Sequence, residues 1–307
     1  MLYNKPTRRQ HYVWRYYLTP WANKDKKICC FFKSNKKTVF TSLMNIGQEK
    51  DFYAFSNITF EEIKLTEALF VNAQPNKRLN TFWINAYSLI HLLKETAQQE
   101  ELSKEAQIHL KDALIELEEK VYCEIERDYQ GYLELLKKSD LSFLKNEEDK
   151  CRFLYLFFEQ YFRTKRMKAS LDRSLQGNGY NISGNNMWFL SKHILATQVG
   201  FGVYTFNPKY KYILLSNPTD IPFLTGDQAI INLEADYTKD TIPERMTMYY
   251  PLCTKLALLI TIKDAVEVLS KIELTEKDVS FYNQKIISAC EEQIYSCNEK
   301  SLKFYIK

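Results

Sequence analysis

The chain has 307 residues, of which 45% are apolar and 26% are charged, and 42 Lys and Arg residues stand against 38 Asp and Glu residues. This composition excludes a disordered or collagen-like protein, and a net charge of +4 is too small to indicate a nucleic-acid partner by itself. No stretch is apolar enough to span a membrane, and the N-terminal residues lack the apolar core of a signal peptide. The seven cysteines have no zinc-binding spacing, so we predict a cytoplasmic protein with no bound metal and no cofactor.

One domain is predicted over residues 1–307. Its parts are an N-terminal motif and hairpin at 1–58, a helical region at 59–175 and a mixed α/β region at 176–307. These boundaries follow the change from short β-rich runs to long amphipathic segments and back. Together they predict the α+β class, with a helical central region packed on a mixed or antiparallel sheet built from the hairpin and the C-terminal strands.

The first part is predicted to contain a β-hairpin. Residues 28–32 and 38–41 are β-rich runs on either side of the polar segment KSNKK. A second extended stretch is predicted at residues 51–55. Because an isolated two-stranded hairpin is only marginally stable in water, we expect this one to pair or pack with late strands of the chain.

The central part is predicted to be helical. Thr59 and Glu62 have the spacing of a capping box, which marks the start of a helix. Residues 79–98 are apolar on most faces, so we expect a buried, central helix there. One further helix is predicted at 147–171. The helix between these two has an apolar stripe that we expect to be buried: Leu110, Leu114, Leu117, Val121 and Ile125.

The last part is predicted to mix helices and strands. The predicted helices cover residues 186–198, 263–270 and 275–297. The predicted strands cover residues 212–216, 223–224, 229–232, 256–262 and, at the tail, 302–306.

The chain has no P-loop, dinucleotide-binding, zinc-protease or hydrolase motif.

Three segments carry residues that could bind or react with a substrate, and the first contains His11 and Arg15. On a helix, His11 and Arg15 would share one face, where the imidazole could exchange protons and the guanidinium could hold an anion. The structural alternative is an aromatic N-terminal anchor whose His is hydrogen-bonded in the core.

The second segment lies at the end of a predicted helix and contains Gln160, Arg163 and Arg166. Their spacing of three places each neighbouring pair on a common face, and a guanidinium binds phosphate or carboxylate through two parallel hydrogen bonds. We therefore predict an anion-binding group here. The alternative is a basic last turn that the helix dipole favours.

The third segment is a short turn between two predicted strands, with Thr225 and Asp227 at its centre. Polar residues bracketed by buried strands lie at the end of a sheet, where binding sites are often built. Asp227 is a candidate general base or a residue that orients His11, and Thr225 is a candidate substrate contact. The alternative is a structural turn carboxylate.

Five motifs in order together resemble a bacterial family of unknown function, DUF4238. The motifs are His11-Tyr-Val-x-x-x-Tyr-Leu, Glu49-Lys-Asp-Phe-Tyr, Gln160-x-x-Arg-Thr, Asn186-Met-Trp and Thr225-Gly-Asp-Gln-Ala-Ile. The chain differs from the family pattern in having Trp14 for Pro, Gly226 for Ser, and Gln228 and Ala229 for Asn and Pro. The resemblance implies one fold over nearly the whole length and supplies no activity.

Three functional hypotheses follow from these segments. In the first, the chain processes nucleic acid as a metal-independent nuclease of a bacterial defence or toxin system, and the three segments meet in one cleft. Such an enzyme needs a proton-transfer group and cations, which these segments supply. In the second, a basic groove binds a nucleotide or a nucleic-acid strand without catalysis. In the third, the chain is an interaction subunit for a protein encoded in the same operon; no membrane partner is predicted, and the oligomeric state is left open.

Overall fold

The computed structural model describes residues 6–54, 58–72, 77–99, 102–180, 182–206, 209–239, 243–262 and 269–306. Its strands are β1 (Arg9–His11), β2 (Lys27–Phe32), β3 (Lys37–Ser42), β4 (Gln48–Lys50), β5 (Lys211–Ser216), β6 (Thr225–Gly226), β7 (Ile231–Asn232), β8 (Met248–Cys253), β9 (Leu256–Thr261), β10 (Leu269–Glu273) and β11 (Gln293–Ser296). Its helices are α1 (Arg15–Leu18), α2 (Phe60–Phe70), α3 (Thr81–Gln99), α4 (Lys104–Lys137), α5 (Glu147–Phe162), α6 (Lys165–Gly177), α7 (Gly184–Thr205), α8 (Glu276–Ala289) and α9 (Glu299–Tyr305). Within these ranges no helix is long and apolar enough to cross a membrane.

A four-stranded antiparallel sheet joins the two ends of the chain. Its order is β3-β2-β11-β6, so the N-terminal hairpin is extended by two late strands. The central residue of this pairing is Tyr295, which lies opposite Cys30 on one side and Thr225 on the other. The predicted hairpin and its pairing with C-terminal strands are therefore confirmed, and so is the α+β class.

A second sheet of five strands lies beside the first, in the order β10-β5-β9-β8-β7. Only the β10–β5 pair is parallel. β9 is buried along its whole length because its sequence, LALLIT, is apolar at almost every position. β8 was not predicted from the sequence, since its MYYPLC run carries a proline and no clear alternation.

The buried face of α4 differs from the predicted stripe. Leu110, Leu114, Leu117 and Val121 are only half-buried. The face that enters the core is built largely from residues with polar atoms: Ile115, Glu118, Tyr122, Ile125, Tyr129, Tyr132, Leu133 and Leu136. Several of these polar atoms find hydrogen-bond partners in the interior, as when Tyr132 Oη donates to Asp149 at 2.8 Å. A prediction that counts only apolar residues therefore places the buried face of α4 on the neighbouring side of the helix.

α5 and α7 form the centre of the helical region. Residues 187–194 of α7 are buried at every position. The two helices approach closely at Gly200, where an added Cβ would lie 3.2 Å from both the Leu154 carbonyl and Tyr155 Cα. The predicted helix at 147–171 is two helices, because Thr164 leaves the helical conformation and caps α6 through Met167 N–H.

α3 is not the buried helix that its composition predicts. One face packs on α7, but Phe82, Leu89 and Leu93 are each more than half exposed. An apolar residue on every face therefore does not guarantee that every face is covered.

The C-terminal elements also differ from the prediction. The predicted helix at 275–297 ends at Ala289 and is followed by β11, because pairing with β2 and β6 stabilises that segment as a strand. The tail is helix α9, capped by Asn298, and not a strand. Residues 269 and 270 open β10, whereas 263–268 of the predicted helix there lie outside the described residues. Residues 51–53 form a turn in place of the predicted extended stretch.

Candidate functional site

His11 lies at the end of β1, which pairs with β4. Its side chain is half-buried, and its Nε2 atom is buried with no hydrogen-bond partner in the described part of the chain. Burial, followed by the positive charge of Arg15, lowers the pKa of His11 to about 4. The imidazole is therefore neutral at pH 7, and its Nε2 has no direct access to solvent.

Arg163 links β1 to the helices through four hydrogen bonds. Its Nε donates to Tyr53 Oη at 2.8 Å, and its Nη2 donates to the His11 carbonyl at 2.7 Å. Its Nη1 donates to Glu126 Oε1 at 2.6 Å and to Gln160 Oε1 at 3.2 Å. The guanidinium is 1% exposed, so its charge is neutralised inside the protein by Glu126. An external anion would have to displace these partners.

Two carboxylates of α4 complete this N-terminal cluster. Burial raises the pKa of Glu119 to about 7; Arg163 opposes the shift and Glu126 adds to it. Arg15 is exposed, and its Nη1 contacts Met44 Sδ. The structure thus brings His11, Arg15, Gln160 and Arg163 together and adds two glutamates that the sequence did not indicate. Gln160 and Arg163 lie on one face at the end of α5, as their spacing predicts. His11 and Arg15 do not share a helix face, because His11 ends β1 and Arg15 begins α1.

Asp227 has a different set of partners. Its carboxylate accepts backbone N–H groups from Glu291 at 2.9 Å, Glu292 at 2.6 Å and Gln293 at 2.8 Å. Burial raises its pKa to about 6, and these three N–H groups oppose the shift. Asp227 therefore holds the loop between α8 and β11, and it forms no recorded hydrogen bond with His11. The catalytic role suggested for the pair stays a prediction.

Thr225 and Gly226, which precede Asp227 in the turn, also contact other parts of the protein interior. Thr225 Oγ1 shares a hydrogen bond of 2.7 Å with Tyr17 Oη. Gly226 has no room for a side chain, because the thiol of Cys290 fills the space beside it. An added Cβ there would clash with Cys290 Sγ and lie 2.6 Å from the Gln293 carbonyl.

Arg166 does not join Arg163, although the two lie three residues apart. Its Nη1 donates to Glu291 Oε2 at 3.1 Å, and its Nη2 donates to the Tyr237 carbonyl. Its Nε is buried with no partner among the described residues. Arg166 also lies in the wall of a cavity, and 11% of its side-chain surface is exposed.

The cavity has a volume of about 750 Å³. It lies between α5, α6 and α7 on one side and the segment that joins β7 to β8 on the other. Most of its lining is apolar, including Leu69, Phe70, Phe158, Phe162, Met167, Leu171, Leu175, Trp188, Leu195, Val199, Met246 and Met248. α6 is amphipathic, with Met167, Leu171 and Leu175 on one face, and that face forms one wall.

Charged residues lie at the edge of this cavity. Lys239 and Arg245 are exposed and belong to its lining. The carboxylate of Asp236 also lines the cavity, and it pairs with Lys239 at 3.5 Å. The cavity therefore combines an apolar interior with a rim on which positive charge exceeds negative charge.

A buried ionic network lies behind the cavity wall formed by α7. Lys192 lines the cavity and pairs with Glu118, while His193 Nδ1 bonds Glu159 Oε1 at 2.8 Å. Burial alone would raise the pKa of Glu118, but Lys192 and His193 outweigh it and lower that pKa to about 2. Ser191 Oγ, also in the lining, is buried with no partner among the described residues.

Sequence analysis missed these α7 residues, although a signal for them was present. A Lys-His pair inside a helix that is otherwise apolar on every face indicates polar groups that the interior must satisfy. Among the described residues, no group of His, Cys, Asp and Glu side chains is arranged to hold a metal ion.

No curated protein and no solved structure matches the chain significantly. The family model described as "Protein of unknown function (DUF4238)" matches residues 9–300, which is nearly the whole length. The match covers both sheets, the helical region and the cavity. The chain therefore belongs to the DUF4238 family.

Proposed function

We propose that this protein binds a small amphiphilic molecule, with an apolar body and an anionic head, in the cavity between α5, α6 and α7. The volume of about 750 Å³ lies within the range of small-molecule sites, which are mostly apolar with a few polar groups that fix orientation. The long apolar lining fits an aliphatic chain or a fused ring system, and the cationic rim fits a carboxylate.

The observation that carries this proposal is the place of Arg166 in the lining of a mostly apolar cavity. Small-molecule sites typically combine apolar walls with a few polar groups that fix the orientation of the ligand. The Arg166 guanidinium is held by Glu291 and the Tyr237 carbonyl, so its position is fixed before a ligand arrives. A carboxylate that binds it gains a charge-assisted hydrogen bond.

The nuclease hypothesis has less geometric support than this binding site. Arg163 donates its hydrogen bonds to groups inside the protein, and Asp227 accepts three backbone N–H groups. His11 Nε2 is buried, so it is not exposed to a substrate. Processing or binding of nucleic acid therefore stays a prediction from the sequence, and a cleavage assay with single-stranded RNA and DNA is the experiment that tests it.

The binding proposal is tested by calorimetric titration with two probes of equal chain length, dodecanoate and dodecanol. We expect dodecanoate to bind at least about tenfold more tightly, because one charge-assisted hydrogen bond is worth about 1.5 kcal/mol or more. In the variant Arg166→Gln this preference should fall to near unity while dodecanol binding changes little.

The control for this titration is Arg152→Gln, which removes an exposed arginine that pairs with Asp128 and does not belong to the cavity lining. Its preference for dodecanoate should match that of the unmodified protein. Equal affinity for the two probes in the unmodified protein would contradict the anionic-head proposal, and no binding of either probe would contradict the site itself.

A further inference from the structure

β3 is the last strand of the four-stranded sheet, and its outer edge is open. The strand pairs with β2 on one side, and no described strand pairs with it on the other. Val39 is 37% exposed and Phe40 is 52% exposed on opposite faces of the sheet, whereas the β2 residues opposite them, Cys30 and Cys29, are buried. β3 therefore projects beyond the elements that cover β2. None of its residues lines the cavity, so this edge is independent of the proposed ligand site.

The hydrogen-bond pattern fixes which backbone groups face this edge. The Leu43 N–H donates to the Lys26 carbonyl at 3.0 Å, a bond that flanks Ser42 and leaves its own N–H and C=O turned away from β2. Residues of an antiparallel strand alternate in this respect, so Phe40 and Thr38 also face outward. No described residue bonds the outward backbone groups of these three residues.

Four exposed lysines flank the open edge. Lys36 and Lys37 lie where β3 begins, and Lys26 and Lys27 lie beside its end. Among the described residues, no carboxylate forms an ion pair with any of the four. The two turns that carry these lysines contain one acidic residue, Asp25. Positive charge therefore exceeds negative charge in these turns at both ends of a strand whose middle is apolar.

These charges disfavour a second copy of the chain as the partner. If two β3 strands paired antiparallel about Phe40, Lys37 of one copy would lie opposite Leu43 of the other, close to the lysines beside that residue. A parallel pairing would set Lys37 against Lys37. Exposed lysines prevent edge-to-edge association of like strands in this way. The same lysines attract a strand that carries carboxylates at its ends.

We infer that the β3 edge binds an extended acidic segment of a partner protein, which adds to the sheet as a further strand. In this mode of recognition, main-chain hydrogen bonds supply affinity and side chains select the partner. The peptide backbone bonds Thr38, Phe40 and Ser42, and its carboxylates lie beside the lysines. A lipid surface or a nucleic-acid strand carries negative charge but lacks the alternating N–H and C=O groups that this edge matches.

The first test is fluorescence anisotropy of a labelled peptide with two glutamates at each end and alternating valine and threonine between them. A matched peptide carries lysine in place of each glutamate. The acidic peptide should bind at least about tenfold more tightly, and raising the salt concentration should reduce this preference. Equal affinities, a preference for the lysine peptide, or no binding of either peptide would overturn the inference.

The second test removes one outward N–H group. Phe40→Pro deletes a donor that does not bond β2, and proline is tolerated on an edge strand at such a position. The acidic peptide should bind this variant at least about tenfold more weakly, whereas Phe40→Thr, which keeps the N–H, should stay within about threefold of the unmodified protein. Circular dichroism checks the fold. Unchanged binding by a folded Phe40→Pro variant would contradict strand addition.

A modified peptide makes the same test on the unmodified protein. N-methylation of one alternating set of peptide amides should abolish binding, because that set faces β3, and methylation of the other set should not. Equal effects of the two methylated peptides would contradict strand addition even if Phe40→Pro failed to fold.

The third test reverses charge at one end of the edge. The double variant Lys36→Glu with Lys37→Glu should bind the acidic peptide at least about tenfold more weakly and the lysine peptide more tightly. The control is Lys104→Glu with Lys277→Glu, which changes exposed lysines on α4 and α8 and should leave both affinities unchanged. Equal losses in the two double variants would show a general effect of net charge and overturn the inference.

Two other occupants give distinct results. Single-stranded RNA that binds the unmodified protein and Phe40→Pro equally, but not the Lys36→Glu with Lys37→Glu variant, would show a surface for polyanions in place of a peptide site. Self-association in sedimentation that Phe40→Pro abolishes would show that a second copy pairs with β3. Either result would overturn the inference.

Discussion

The buried guanidinium of Arg163 connects three parts of the molecule. It bonds the carbonyl of His11 in β1, the carboxylate of Glu126 in α4 and the amide of Gln160 in α5. It also lies over the ring of Tyr122, with its central carbon 4.0 Å from the ring centroid. A charge taken out of water is tolerated only when it is paired and hydrogen-bonded in this way.

Replacing Arg163 by Met should therefore destabilise the protein strongly. The change leaves the largely buried Glu126 carboxylate without its cation, which costs about 3–5 kcal/mol for a buried pair. Urea denaturation measures the loss. The double variant with Glu126→Gln should recover part of it. Arg152→Met, which breaks a partly exposed pair with Asp128, should cost less than about 1 kcal/mol. Similar losses at both positions would contradict the buried role of Arg163.

His11 should make stability depend on pH below neutrality. Its pKa of about 4 in the folded chain lies below the ordinary value of 6.5, so only the unfolded chain binds its proton between these values. Above pH 6.5 the residue is neutral in both states and contributes nothing to this dependence. As the pH falls from 6.5 towards 4, the free energy of unfolding should drop by about 2–3 kcal/mol through this residue.

The variant His11→Gln isolates this contribution. Its free energy of unfolding, measured against that of the unmodified protein at each pH, should lose less between pH 6.5 and pH 4. Parallel curves for the two proteins over this interval would show that the imidazole titrates as freely when folded as when unfolded.

Among the elements, α4 shows which side chains a helix needs on its buried face. Tyr122, Tyr132 and Glu118 enter the core with hydrogen-bonded polar atoms, as when Tyr122 Oη donates to Glu159 at 3.2 Å. Ile125→Ala should therefore cost about 2–4 kcal/mol as a core truncation. Leu117→Ala, on the half-buried face, should cost about 1 kcal/mol or less, as thermal unfolding of the two variants will show. A larger loss at Leu117 would favour the predicted stripe over the observed face.

Local signals predicted elements well, and non-local pairing was the main cause of error. The predicted capping box at Thr59 depends on neighbouring residues only, and it forms; a second one forms in the same way at Thr275. β11 is a strand because of partners more than 60 residues away in the sequence. The local sequence gives no sign of them, so the prediction continued the preceding helix through this segment. The N-terminal cluster was predictable only in part: the spacing of Gln160 and Arg163 indicated a shared face, whereas His11 and Arg15 lie on a strand and a helix and not on one helix face. Its Glu126 partner was not, because no local pattern connects α4 with the ends of β1 and α5.

At the scale of the whole molecule, the two ends of the chain build one sheet and the middle builds the helices around the cavity. Trp21 Nε1 donates to the Phe223 carbonyl at 2.7 Å, which ties the N-terminal part to the late turn beside β6. Apolar residues of α6 and α7 form walls of the cavity, and α7 also carries Lys192 and His193 of the buried ionic network. The lining of the cavity comes from distant segments of the helical part and of the late mixed part, so no single segment of the sequence indicated it.

Occlusion of the cavity tests the binding proposal most directly. Ser174 lies on α6 in the cavity lining, and Ser288 lies exposed on α8, so Ser174→Trp and Ser288→Trp make the same chemical change inside and outside the site. The measurement is the dissociation constant for dodecanoate in both variants and in the unmodified protein. The account predicts at least about a tenfold loss of affinity in Ser174→Trp, with no change in Ser288→Trp. Unchanged dodecanoate binding by a folded Ser174→Trp variant would show that the ligand does not occupy the cavity.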